Sequence, residues 1–395
     1  MPTTIGLMVL SMAMSLLLVV AGWYVPAIRE RAAEALRAID FDATLLHGML
    51  AYLLFAGALH VNLADLAEQK WVIGITATVG VIISALLVGG MMFGITNVVG
   101  HGLPFLHCLL FGALISPTDP IAVMGILKKA GAPKSLETKI CGESLFNDGV
   151  GVVVFLVLAG IATGAERGGH VEVSAWGIAL LFLVEAGGGV VFGLATGYVV
   201  YRLLKTVNHY QVEILLSLAL VSGGYALAEA LHLSAPIAVV VAGLLIGNHG
   251  RTLAMDEETR HHLDTFWELV DEILNALLFV MIGLEVLELA IEGRVVLAGL
   301  IAIPATLLAR FLAVGAPIAV LRRVRTFTPH ATKIMTWGGL RGGISVALAL
   351  TLVDHDPEVY APILTMTYVV VVFSIVVQGL TISPLLRRWE AKGQA

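Results

Sequence analysis

The stretch ISPTDPIAV, residues 115–123, interrupts a long apolar segment with two prolines, a threonine and an aspartate. Pro117 and Pro120 lack the backbone donor that a helix needs and obstruct helical backbone on either side of Thr118 and Asp119. The segment around them is long enough to cross a membrane, so the spacing predicts a membrane helix broken near its centre. Half-helix ends and freed carbonyl groups are typical of cation sites in transporters. A proline kink with Asp119 as a helix cap is the structural alternative.

The composition excludes an ordinary water-soluble protein. Of the 395 residues, 58% are hydrophobic and only 13% are charged, whereas soluble domains carry about 25% charged residues. Apolar stretches recur along the chain, most of them close to the roughly 20 residues that a membrane-crossing helix needs. They predict an all-α polytopic membrane protein with about twelve spans. These lie near 5–28, 43–61, 71–95, 104–127, 137–161, 175–201, 212–230, 235–248, 264–286, 295–321, 331–353 and 360–386.

The distribution of lysine and arginine predicts how the chain is oriented. Sixteen of these residues lie on one set of alternate loops and at the C-terminus, and five lie on the other set. Because cytoplasmic loops are enriched in them, both termini are predicted in the cytoplasm, in a multi-pass protein of the inner (plasma) membrane. Membrane lipid is the expected partner. No basic tract indicates nucleic acid. Apart from Lys139 and Lys333 at the ends of their spans, only Arg310 and Arg341 fall within spans.

A second polar motif, GESLFNDGVGVVVF, begins at residue 142. Asp148 follows Asn147, and Ser144 lies one turn earlier on the same helix face, so carboxylate, amide and hydroxyl oxygens can converge on a small cation. Glu143 lies about 140° away from Asp148 around the helix and needs its own cationic partner. We expect that partner to be Arg310. A purely structural role for Asp148 is the alternative.

A third motif, TWGGLRGGISVALAL at 336–350, surrounds Arg341 with four glycines, including Gly342. Glycine permits unwound backbone deep in a membrane protein, so a second broken helix is predicted here. It is the fourth of the last five spans, as the first broken helix is the fourth of the first five. That order indicates inverted repeats whose broken helices cross at a midplane site. Charged groups at this depth cost about 2.5 kcal/mol or more, which makes each a functional candidate.

Together, PTDPIAV, GESLFNDG, LRGGISVALAL and YVVVVFSIVVQGLT resemble the NhaP-type sodium/proton exchangers of the monovalent cation:proton antiporter-1 family. The resemblance covers nearly the whole chain. It implies a sodium/proton antiporter-like fold, a homodimer, and a Glu143–Arg310 ion bridge. It also implies that Asp148 binds the ion and exchanges the proton, with Na⁺ at Asp148, Ser144 and Thr118. The other residues implied to line the site are Asn147 and Asp119.

The family fold implies a division of the single transmembrane unit. Core, ion-binding helices are expected at approximately 71–161 and 295–386, and dimer or scaffold helices at approximately 5–61 and 175–286. The chain departs from relatives at Ala56, where many have an acidic residue, and this keeps a potassium-preferring exchanger open as an alternative. The start, PTTIGLM, resembles the entry to the relatives' second helix. Their first helix is therefore expected to be absent from this sequence, either because the start is shorter or because an upstream segment is missing from it.

The expected function is secondary active antiport of protons for Na⁺ (or Li⁺), with a role in pH homeostasis. Asp148 would bind either a proton or a cation, and because residue 147 is Asn rather than a second Asp, exchange is expected to be one-for-one and electroneutral. A K⁺/H⁺ antiporter and a cation channel are the alternatives, although no repeated pore loop indicates a channel. No HExxH, GxSxG or P-loop pattern indicates an enzyme, and no cofactor is expected beyond the transported ions.

Overall fold

The computed structural model describes residues 3–24, 44–119, 133–163, 175–207, 209–251, 255–284, 292–323, 327–353 and 357–393. This part of the chain forms thirteen helices. In chain order they are α1 (Thr3–Tyr24), α2 (Thr44–Leu59), α3 (Leu63–Val99), α4 (Phe105–Ile115), α5 (Lys134–Thr163), α6 (Ala175–Leu204), α7 (Tyr210–Ala230), α8 (Ala235–Gly250), α9 (Glu257–Leu284), α10 (Gly293–Leu321), α11 (Ala331–Trp337), α12 (Gly343–Val353) and α13 (357–393).

Six helices of the described part are long and apolar enough to cross a membrane. They are α3, α5, α6, α7, α10 and α13, while α1, α2, α4, α8 and α12 contain shorter apolar segments. The prediction of an all-α polytopic membrane protein is confirmed. Within the described residues, each predicted span overlaps one helix, except that the span at 331–353 forms the two halves α11 and α12. Of the span predicted at 104–127, only the part up to Ile115 is described as helix.

Helix α3 begins earlier than the span predicted at 71–95. The side chain of Asn62 accepts hydrogen bonds from the backbone N–H groups of Ala64 and Asp65, which caps a helix starting at Leu63. An N-cap of this kind satisfies donors that the first helical turn leaves unpaired. Hydropathy alone does not detect it, because the added turns carry charged residues.

The backbone leaves the helical conformation at both predicted breaks, and the two breaks meet. Helix α4 ends at Ile115, and residues 116–119 are not helical, while Pro120 lies outside the described residues. Residues 338–342 separate α11 from α12. The backbone N–H of Asp119 donates to the carbonyl of Leu340 at 2.8 Å, which forms a single antiparallel bridge between the breaks. The two predicted breaks and their meeting are confirmed for the described residues, whereas the second half of the first helix, predicted to reach residue 127, lies outside them.

The helices pack in two groups. Helices α3, α4, α5, α10, α12 and α13 pack on one another, whereas α6, α7 and α8 pack together and α1 packs on α9. Helix α2 contacts both groups, through α5 and α12 on one side and α8 and α9 on the other. The predicted core helices fall in the first group. The division at 71–161 and 295–386 stays a prediction.

Candidate ion-binding site

A cavity of about 50 Å³ lies where the two breaks meet. Asp119 and Asp148 line it, together with apolar side chains that include Leu45 and Leu53 of α2 and Leu278 of α9. One water occupies about 30 Å³ in the liquid, so this space can hold a water molecule or a dehydrated monovalent cation. The site therefore presents two carboxylates to a space whose other lining residues are apolar, apart from Ser345.

Asp148 is deeply buried at the middle of α5, with 4% of its surface exposed. Two glycines that follow it in the chain let neighbouring elements approach closely. A methyl group at Gly149 would lie 2.5 Å from Ile237 of α8, and one at Gly151 would overlap the ring of Pro117. A carboxylate withdrawn from water in this way is stable when it holds a proton or pairs with a cation.

Three neutral polar side chains form a hydrogen-bonded cluster beside the carboxylates. Asn147 donates from Nδ2 to Thr118 Oγ1 at 2.8 Å and accepts from the Thr118 N–H at 3.2 Å, and Thr118 Oγ1 lies 2.9 Å from Ser144 Oγ. None of the three is among the residues that line the cavity, in contrast to Asp119 and Asp148. All five candidate side chains are thus brought together, and the assignment of Na⁺ to Asp148, Ser144 and Thr118 stays a prediction.

Glu143 and Arg310 form a bidentate ion pair in the protein interior. Arg310 donates from Nη1 to Oε1 and from Nη2 to Oε2 of Glu143, the second bond at 2.7 Å. Both side chains are at most 5% exposed. Backbone also packs closely here, since a methyl group at Gly339 would lie 2.8 Å from Arg310 Nε. The two parallel bonds place the carboxylate in the fork of the guanidinium, a strong arrangement for buried charges.

Arg341 connects the two breaks. Its Nη1 donates to the backbone carbonyls of Ser116 and Pro117, the latter at 2.8 Å. These carbonyls follow the C-terminal end of α4, where freed oxygens and the negative end of the helix dipole favour a cation. The guanidinium is buried, with 3% of the residue exposed. A positive charge is therefore held at the break by backbone carbonyl oxygens.

The second break has its backbone polar groups paired by α13. Ser374 Oγ accepts from the N–H of Arg341 at 2.8 Å, and Gln378 Nε2 donates to the carbonyl of Trp337 at 2.9 Å. Both residues lie on a wide helical turn, Ser374–Gln378, of a kind common at functional sites. The sequence alone predicts no role for either residue. Their signal was two polar residues four apart within the apolar motif YVVVVFSIVVQGLT.

Comparisons with known proteins agree on the family. Residues 1–388 match the model of the transmembrane sodium/hydrogen exchangers. The chain is 53% identical over 394 residues to the Na⁺/H⁺ antiporter NhaP of Pseudomonas aeruginosa, covering 98% of this chain and 91% of that protein. It is 36% identical to the Na⁺/H⁺ antiporter NhaH of Halobacillus dabanensis over 352 residues, 88% of this chain and 83% of that one.

A solved structure shares the fold. The sodium proton antiporter MjNhaP1 of Methanocaldococcus jannaschii superposes with a TM-score of 0.70, covering 98% of each chain at 20% sequence identity. At this identity the likeness bears on the fold alone. The similarity extends over nearly all of both chains, so no large part of either fold is left unmatched.

Proposed function

The chain belongs to the sodium/hydrogen exchanger family, and we therefore propose that it is a secondary active antiporter that exchanges protons for sodium or lithium ions across the plasma membrane. The observation that carries the proposal is the pair of carboxylates, Asp119 and Asp148, at a cavity of about 50 Å³ between two broken helices. A buried carboxylate exchanges one small positive ion for another more readily than it stays charged and empty.

Asp148 is the group that exchanges its ligand in this mechanism. A proton and a cation both neutralise the carboxylate, and each excludes the other, so competition couples the two fluxes. Asp119 lies close enough for its charge to interact with that of Asp148. The second negative charge favours a cation in the cavity over an empty site. Thr118, Ser144 and Asn147 position the ligands through their mutual hydrogen bonds.

The exchange is one-for-one and electroneutral in this account. If Asp148 alone changes its ligand, the loaded carrier has the same charge with a proton as with a monovalent cation. The membrane potential then does no net work on the cycle. In this proposal Asp119 keeps the same protonation state throughout the transport cycle.

Sodium is proposed over potassium because relatives at 53% and 36% identity are named Na⁺/H⁺ antiporters. Ala56 is buried on α2 and offers no side-chain oxygen to a cation, so a potassium-preferring exchanger is the alternative that the assay below decides. We propose no enzymatic activity and no cofactor, in keeping with relatives that are named as transporters. We also propose a homodimer, formed by the scaffold helices.

The test is steady-state sodium efflux from proteoliposomes at several proton concentrations and membrane potentials. Competition at one carboxylate predicts that protons added on the same side of the membrane as sodium raise the KM for sodium and leave the maximal rate unchanged. The rate should not depend on the imposed potential. Protons that lower the maximal rate at an unchanged KM, or a transport current that reverses with voltage, would contradict the mechanism. Repeating the assay with lithium and potassium decides the preferred ion.

A further inference from the structure

Ser345 is the one neutral polar residue among those that line the cavity of Asp119 and Asp148. It is the third residue of α12, shortly after the second break, and only 1% of its surface is exposed. The hydroxyl-bearing residues Thr118 and Ser144 lie beside the cavity and do not line it. The second broken helix therefore brings a hydroxyl to the cavity that the two carboxylates share.

The hydroxyl of Ser345 has no hydrogen-bond partner among the residues that the structure describes. Buried hydroxyls elsewhere in the helices donate to the carbonyl one turn earlier, as Thr76, Thr96 and Thr367 do at 2.9, 2.9 and 2.7 Å. For Ser345 that carbonyl belongs to Arg341, which lies in the break and is not helical. A buried hydroxyl without a partner is unfavourable, and a ligand in the cavity would satisfy it.

The hydroxyls of the neighbouring polar cluster are not free in the same way. Thr118 Oγ1 accepts from Asn147 Nδ2 at 2.8 Å and lies 2.9 Å from Ser144 Oγ. A cation at either hydroxyl would compete with these bonds, whereas a cation at Ser345 would break none that the structure describes. Ser345 is therefore the neutral oxygen that is most available to a ligand in the cavity.

Ser345 and Asp148 reach the cavity from different helices. Helix α12 packs on α5, which carries Asp148, and also on α9. Close packing fixes the start of α12, because a methyl group at Gly343 would overlap Leu278 of α9. A ligand bound to Asp148 and Ser345 together would thus connect the second broken helix to α5.

We propose that Ser345 binds the transported cation together with Asp148, and that it sets the affinity for the cation without setting the affinity for the proton. The inference rests on the proposed function for the identity of the ion. A proton bonds to one carboxylate oxygen of Asp148 and requires no ligand from α12. A hard cation takes several oxygen ligands, including hydroxyl and carboxylate oxygens. Ser345 is then a residue that distinguishes the two exchanged ions.

A structural alternative is that Ser345 only fills space where the two breaks cross. Alanine would fill nearly the same space and would bury no unpaired hydroxyl, so packing alone does not favour serine here. The two accounts differ in what they predict for the hydroxyl. If Ser345 is a ligand, its oxygen matters and its exact volume does not.

The test measures the KM for sodium and the inhibition constant of protons in sodium-driven transport by proteoliposomes. Ser345→Ala should raise the KM about tenfold, the loss expected for one polar contact to a charged group, and leave the inhibition constant of protons unchanged. Ser345→Thr keeps the hydroxyl and should have a KM close to that of the native chain. The control Thr265→Ala removes an exposed hydroxyl of α9 and should change neither constant.

Ser345→Cys is the second variant, and it decides the matter if threonine does not fit. It keeps the shape of serine but replaces the hard oxygen with soft sulfur, so it should raise the KM as alanine does. Equilibrium binding of radioactive sodium to the purified chains should give the same order without a transport cycle. Ser345→Ala removes no hydrogen bond that the structure describes, and we expect its thermal unfolding to match that of the native chain.

Three results would overturn the role of Ser345 and leave the proposed exchange standing. They are a native KM in both Ser345→Ala and Ser345→Cys, a KM in Ser345→Thr as high as that in Ser345→Ala, and an inhibition constant of protons that changes together with the KM. A different result would separate the two proposals. Sodium binding that Ser345→Ala weakens, in a chain that drives no proton flux, would refute the proposed function and retain Ser345 as a cation ligand.

Discussion

The charged side chains at the centre of the molecule are neutralised in different ways. Glu143 has Arg310 as a fixed partner, and Arg341 is held by the carbonyls of Ser116 and Pro117. Asp148, in our account, relies on a proton or a cation that comes and goes. Substitution of a residue with a fixed partner should therefore affect stability differently from substitution of a residue with an exchangeable one.

Glu143→Gln should destabilise the protein strongly, whereas Asp148→Asn should not. Removing one partner of a buried ion pair leaves an uncompensated charge and costs about 3–5 kcal/mol. Asparagine, in contrast, resembles the protonated form of Asp148 in shape and charge. Thermal unfolding in detergent measures the difference, with Arg310→Lys as an intermediate case because lysine keeps the charge and loses the two-bond fork. An equal loss of stability in Glu143→Gln and Asp148→Asn would argue against this distinction.

At the scale of the elements, the crossing of the two breaks depends on close backbone contact. A methyl group added at Gly342 would lie 2.5 Å from Asp119 Oδ2 and 2.8 Å from its Cβ. Gly342→Ala should therefore displace Asp119 from the cavity and abolish most transport. Gly90→Ala is the matched control, since nothing lies within 4 Å of a methyl group there, and it should keep native transport. The two variants are compared by their sodium-driven proton flux. A native flux in Gly342→Ala would show that transport tolerates a displacement of Asp119.

The breaks themselves were predictable, because proline and paired glycines act on the local backbone. The residues that contact and stabilise the breaks from distant parts of the chain were not predictable. Arg341 reaches Ser116 and Pro117 across more than 220 residues, and Ser374 supports the second break from a different helix. Such contacts depend on how helices pack, which the order of residues along the chain does not express.

The candidate site was predictable in its membership and not in its geometry. Each of its polar residues occurs in a short motif, so a reading of motifs finds them. The motifs do not distinguish Asp119 and Asp148, which line the cavity, from Thr118, Ser144 and Asn147, which bond to one another beside it. That distinction arises from the approach of the first break to α5.

At the scale of the whole molecule, the uneven distribution of lysine and arginine predicts which end faces the cytoplasm. His232 and Arg323 are exposed on loops predicted to lie on opposite sides of the membrane. A thiol reagent that cannot cross the membrane should label His232→Cys in intact cells and Arg323→Cys only after permeabilisation. The two native cysteines, Cys108 and Cys141, are replaced first. The reverse labelling pattern would show that the predicted orientation is wrong.

The most direct test of the central claim is proton uptake into proteoliposomes driven by an outward sodium gradient, with the native chain compared with Asp148→Asn. We expect rapid, saturable uptake by the native chain and none above background by the variant. A thermal unfolding transition like that of the native chain should show that the variant is folded. Full uptake by Asp148→Asn would contradict the assignment of Asp148 as the exchanging carboxylate.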